Sequence, residues 1–214
     1  MSSDVGGKPS RAALALILAI FAIASAVGMG ADLPYSRTPT ETEQIHFALK
    51  YGSGDLNPHL FIHPPLYSYV LFVLFGLAFV AGRITGFFHS IGDFERLIFM
   101  DQTLFFVIAR GLTLLLAVGA IFITYRLARR LYSRSWEGLL ACAFLASAPG
   151  LVSAAHYAST DIPMMFLSLL AFLVFSRLLE EEKTSTYAWA GILIGLASAA
   201  KYLAVFLFIP MAVA

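Results

Sequence analysis

The sequence predicts an all-α fold, a polytopic bundle of transmembrane helices, and three observations carry that reading. Apolar residues make up 59% of the chain and charged residues 13%, where a soluble domain runs roughly 45–50% and about 25%. Mean hydropathy is +0.82. Several apolar runs reach the ~20 residues that a bilayer core asks of one helix. The formal net charge of +1 and the lack of a basic tail or arm argue against a nucleic-acid partner. Cys142, the single cysteine, allows no internal disulfide and no thiolate metal site, and reads as small packing filler in its apolar run.

The elements follow in order. Residues 1–11, with Lys8 and Arg11, form a cytoplasmic N-terminus, and residues 12–214 form one transmembrane module. Ala12–Ala31 is the first span; Ala24-Ser25-Ala26 also fits a signal-peptidase site, but the stretch is long for a signal and equally apolar sequence follows. Thr103–Tyr125, Gly138–Ala155 and Ile162–Leu179 are further spans, and Tyr187–Ala200 with Tyr202–Ala214, divided by Lys201, add one or two. Asp101 is placed to cap the helix near Thr103, and Thr184, Ser185 and Thr186 to cap the one before Tyr187. Pro149-Gly150 predicts a kink. Gly191 and Gly195, four apart, predict close helix approach. The chain stops inside an apolar run, which predicts that the C-terminal part of the module is missing.

Charge sets the orientation. Arg126, Arg129, Arg130 and Arg134 form a basic cluster that the positive-inside rule places in the cytoplasm, and Arg177 and Lys183 fall on the same side. Lys8 and Arg11 also belong inside, so the outer loop 32–64 and the segment His156–Asp161 lie outside. Thr103–Tyr125 must then run inward. Pro65–Ala81 is long enough to span, yet it must start and finish outside, so residues 65–84 are expected as an interfacial helix that lies along the outer surface or dips in and returns. The two polar outer segments can therefore build one site.

Certain polar residues need explaining. Lys201 interrupts an apolar helix, which costs about 2.5–3.5 kcal/mol at the bilayer centre; it either snorkels or faces a cavity that receives an anionic head group. Asp161 fits a helix N-cap with Pro163 in the first turn. Thr38-Pro39-Thr40-Glu41 fits a capping box with Glu41 reaching back, and Glu41 is equally suited to aim a carboxylate at an outer cavity. His63-Pro64-Pro65-Leu66-Tyr67 opens the next helix with a rigid turn, and His63 and His156 are by themselves ordinary structural histidines.

Taken in order, the acidic outer loop, His63-Pro64-Pro65-Leu66-Tyr67, Arg126-Leu127-Ala128-Arg129-Arg130-Leu131-Tyr132, Ser147-Ala148-Pro149-Gly150, His156 to Pro163, and Ala200-Lys201-Tyr202 are similar to a family pattern. From about Ala31 the chain resembles the polyprenyl-phosphate-dependent glycosyltransferases of the GT-C superfamily. The branch is that of bacterial relatives of protein O-mannosyltransferases and lipid A aminoarabinose transferases, glycosyltransferase family 39-like. The resemblance implies an integral protein of a bacterial-type plasma membrane with its active face outward. Such enzymes pass a sugar from a polyprenyl-phosphate donor to a hydroxyl on a lipid, glycan or protein acceptor. It implies a juxtamembrane first outer helix, a general base in the first outer loop, an acidic position at Asp161, and a lysine near the lipid phosphate at Lys201. His63, His156 and Tyr67 join Lys201 as candidate substrate-binding residues. No cofactor is fixed, with a divalent cation the one candidate.

One position departs from that pattern. Where the family's first loop usually reads Asp-Glu, this chain has Thr40-Glu41, and a threonine cannot accept a proton at neutral pH. Glu41 or Glu43 must then take the role. Glu41 points roughly 100° away from Thr40 on a helix, whereas Glu43 returns to nearly the same face; the family's glutamate favours Glu41. Asp161 completes the candidate catalytic set. A non-catalytic binding or assembly member of the fold is the alternative, and a transporter using Lys201 and Asp161 as an intramembrane pair is a third reading.

Overall fold

A computed structural model describes residues 7–34, 36, 38–132, 134–178 and 183–213, with side chains from Ser10 to Pro210 within those ranges. The helices are α1 (Gly7–Ala26), α2 (Pro39–Lys50), α3 (Leu66–Ile84), α4 (Ile91–Met100), α5 (Thr103–Tyr132), α6 (Ser135–Ser147), α7 (Pro149–Ala155), α8 (Asp161–Phe175), α9 (Thr184–Ala200) and α10 (Phe208–Val213). Short 3-10 turns occupy Tyr51–Ser53 and Tyr202–Leu207. Among the described residues there is no strand, so the fold is an all-α membrane helix bundle.

At the centre stands α5. Its 30 residues make a rod of about 45 Å, longer than the ~30 Å hydrocarbon core. On one side α1, α6 and α7 bury Leu14, Phe21, Cys142, Leu151 and Ala155 against Ala117, Ile121 and Tyr125. On another, α8 approaches so closely that a Cβ on Gly119 would lie 2.7 Å from the Phe166 ring. Further out, α9 packs Leu193 and Ile194 on Ala171 of α8. Large apolar side chains such as Leu115, at 68% exposed, and Phe144, at 73%, face outward, the surface a bilayer covers and water does not.

The bundle has two chemically distinct ends. Arg11, Arg126, Arg129, Arg130 and Arg177 gather at one. The other holds α2, the start of α5, the turn after α7 and Lys201, because Glu41 of α2 bonds Arg110 of α5 and the backbone of Ala158. The predicted meeting of the two polar segments is thus met in the geometry.

The α3–α4 pair begins and finishes at this second end. Tyr67 at the start of α3 bonds Ala109 and Thr113 of α5, and Phe75 stacks edge-on to Phe105. Phe94 of α4 then brings the chain back to Phe105. By length and composition α3 and α5 are each able to cross a membrane, and α6 with α7, bent by 63°, makes a third span if counted as one.

Local physics corrects several expectations. The first helix ends at Ala26, not Ala31, and turns follow, with Gly28 at φ +86° where a side chain would be strained. The break at Pro149 is as expected: α6 stops at Ser147 and α7 restarts with Pro149 in its first turn. Asp101 accepts the Thr103 amide at 2.9 Å, and bonds from Thr103 hold its carboxyl below the usual range. Thr184, Ser185 and Thr186 are not caps: the helix starts at Thr184, after an N-cap Lys183. Asp161 is inside α8 with Thr160 as N-cap. Nothing approaches the missing Cβ of Gly195, and close helix approaches fall at Gly119 and at Gly138, whose Cβ would lie 2.9 Å from the Tyr125 ring.

Candidate functional site

Thr38 and Pro39 start α2 as the sequence predicts, but the capping box does not form: the Thr38 side chain accepts no cap bond. Glu41 points inward instead and is fully buried. Its Oε1 accepts from Arg110 Nε at 2.8 Å and from the Ala158 amide at 2.8 Å. Its Oε2 accepts from Arg110 Nη2 at 2.7 Å and from Ser36 Oγ at 2.5 Å. A carboxylate has about four lone-pair sites, and all four are taken.

Arg110 is the counterpart, 1% exposed. Beyond the fork on Glu41 it donates to Asp32 Oδ1 at 2.9 Å and to the Met29 carbonyl. Its guanidinium lies over the rings of Tyr157, at 5.3 Å, and Phe106, at 5.8 Å. One side chain therefore ties together the end of α1, α2, α5 and the turn before α8. Sequence reasoning missed it, although the signal was present: an arginine inside an apolar run, the same anomaly that singled out Lys201.

The other candidates divide. Tyr67 is buried, and its hydroxyl bonds Ala109 O and Thr113 Oγ1. His156 sets each ring nitrogen against a carbonyl, Nδ1 at 2.7 Å from Val152 O and Nε2 at 2.9 Å from Val27 O, and the neutral ring donates to one of them, according to its tautomer. His63 is half-buried without a hydrogen bond among the described residues. Lys201 ends α9 in extended backbone and donates to Asp161 Oδ1; the lysine is 29% exposed and the aspartate 55%.

Four buried side-chain oxygens on the two segments joined by Glu41 have no partner among the described residues: Glu43 Oε1, Gln44 Oε1, Ser159 Oγ and Thr160 Oγ1. Each such orphan costs about 1–3 kcal/mol unless something meets it. A cavity of about 280 Å³ opens between α2 and the α4–α5 corner, lined by Ser36, Thr42, His46, Asp101, Gln102 and Phe106 among others. Among the described residues no three His, Cys, Asp or Glu side chains converge.

Fold and site together define a polytopic membrane protein, an all-α helix bundle with a polar centre at one end. Residues 96–214, more than half of the chain, match the family model described as dolichyl-phosphate-mannose-protein mannosyltransferase. The chain belongs to that glycosyltransferase family. The matched stretch includes Arg110, His156, Asp161 and Lys201, while Glu41, Glu43, His63 and Tyr67 precede it. No curated protein and no solved structure matches the chain.

Proposed function

We propose that the Glu41 end of the bundle transfers a sugar from a polyprenyl-phosphate donor to an acceptor hydroxyl, on the outer face of a bacterial-type plasma membrane. The observation that carries this reading is a cation, Lys201, that Asp161 holds just after the turn bonded by Glu41 at Ala158, and that keeps donors free. An ammonium has three N–H donors, and Asp161 takes one; the rest suit a lipid phosphate. In the reaction the acceptor oxygen forms a bond to the anomeric carbon as the bond from that carbon to the phosphate oxygen breaks. The electron pair leaves with the lipid phosphate, and the hydroxyl proton passes to a carboxylate.

Glu41 has no lone pair to receive that proton, so its part is to position α2 through Arg110. Glu43, with Oε1 buried and unpartnered, is the base this geometry favours, and Asp161 holds Lys201. The test is transfer by the full-length protein from a polyprenyl-phosphate sugar to a hydroxyl acceptor. Glu43→Gln should slow turnover by about 10²-fold or more, and Lys201→Met should weaken donor binding. A Glu43→Gln protein that turns over normally sinks the assignment of the base. The second reading, a non-catalytic member, is favoured by Thr40 at the usual aspartate position; it gains if neither the wild type nor Thr40→Asp transfers sugar.

A further inference from the structure

At the opposite end of the bundle lies a cavity of about 570 Å³, between α1, α5 and the end of α8. Its wall carries Arg11, Arg126, Arg129, Arg130 and Arg177, and among the described residues no carboxylate lines it. The glycosyl-transfer reading uses none of these residues. Arg11, Arg126 and Arg177 make no hydrogen bond or ion pair among the described residues, and Arg129 leans on Tyr125, with its guanidinium 5.7 Å from the ring. Arg130 is already engaged. Several guanidinium groups around one space repel each other unless an anion joins them, and their planar fork matches phosphate oxygens.

The wall is two-tiered. On α1 and α5 an arginine lies about one turn nearer the helix end than an apolar side chain, Arg11 before Leu14 and Arg126 after Phe122, and Arg177, in the turn just past α8, follows Leu173 of that helix. Residues three or four apart share a helix face, and one turn is about 5.4 Å. A free phosphate would use only the upper tier. An amphiphile with an anionic head and an acyl tail uses both.

We infer that this cavity is a binding site for the phosphate head group of an anionic diacyl phospholipid from the leaflet at the arginine end. Basic pockets between helices on that side of a membrane are suited to such head groups. The site is independent of the glycosyl-transfer reading and survives if that reading fails. Glu180, Glu181 and Glu182 follow Arg177 in sequence; they lie outside the described residues, so the test must address them directly.

The full chain, in nanodiscs or released from them for native mass spectrometry, is offered phosphatidylglycerol, phosphatidylcholine, a polyprenyl phosphate and inorganic phosphate. The expected result is retention of phosphatidylglycerol over phosphatidylcholine by about tenfold or more, lost in Arg126→Gln/Arg177→Gln but kept in Arg134→Gln, a nearby arginine outside the cavity. Phe122→Ala should weaken the lipid while leaving any response to inorganic phosphate unchanged, which separates lipid loss from misfolding. An equal loss in Arg134→Gln would mean diffuse surface attraction and overturn the site. Equal stabilisation by inorganic phosphate, or preference for polyprenyl phosphate, would overturn the assignment to a phospholipid. So would binding that emerges only after Glu180, Glu181 and Glu182 are all changed to Gln, since the chain's own carboxylates would then fill the cavity.

Discussion

A buried ion pair adds little net stability over an apolar pair of the same shape, but half of one is costly. For Glu41 and Arg110 the arithmetic is stark, because four donors converge on one carboxylate. Glu41→Gln and Arg110→Met should each destabilise the protein by about 3–5 kcal/mol. The double variant should lose clearly less than the sum, since each single change already breaks the fork between the two side chains. Unfolding in mixed micelles titrated with SDS measures all three; strict additivity would mean the pair is not the unit we describe. This residue pair was half legible in the sequence. Glu41 stood out because it neighbours Thr40, but its inward direction was not readable: a capping box and a buried salt bridge ask for the same glutamate at the third helical position, and only the partner decides. That partner was 69 residues away, beyond the reach of any local pattern. For the same reason His156 and Tyr67 looked like ligands, although their polar atoms close on backbone carbonyls and a threonine.

Among the elements, α3 poses the sharpest question. Its composition permits a span, and an apolar stripe of Val73, Leu77, Val80 and Ile84 faces away from the protein. Yet its first turn lies beside α5, and α4 returns to the first turn of that same helix. We propose that α3 and α4 leave and re-enter on one side, so that Ser90 and Tyr132 at the end of α5 lie on opposite faces; residue 133, the next position, lies outside the described residues. In a Cys142→Ser background, an impermeant thiol reagent added outside should label Ser90→Cys and spare Ser133→Cys. Labelling of 133 but not 90 would show that α3 crosses. At this scale the sequence was informative where a single residue decides: Pro149 ended one helix and began another, and Asp101 marked the start of α5. It was uninformative about glycines, since which of them faces a neighbour depends on the azimuth of two helices. Gly119 met Phe166, whereas Gly195 met open space.

Viewed whole, the molecule is a mast, α5, with cations at its foot and a carboxylate–guanidinium knot near its head. Apolar periodicity and arginine placement made this polarity legible before any contact was known, because both act over the length of a helix. The knot has a consequence for biogenesis. Glu41 leaves the ribosome long before Arg110, and Arg110 before Ala158, yet the three are bonded at the end. Until α5 has entered the bilayer, α2 carries an uncompensated acid that cannot be buried, so the α2 segment must wait, solvated, for its partners. Chains arrested after residue 100 should therefore expose the segment around Glu41 to protease, whereas chains arrested well past residue 200 should protect it. Equal protection in both would mean that α2 docks without its arginine. The order of synthesis thus makes Arg110 the latch on a loop translated well before it, and a variant lacking that latch would first be met by the membrane quality-control proteases.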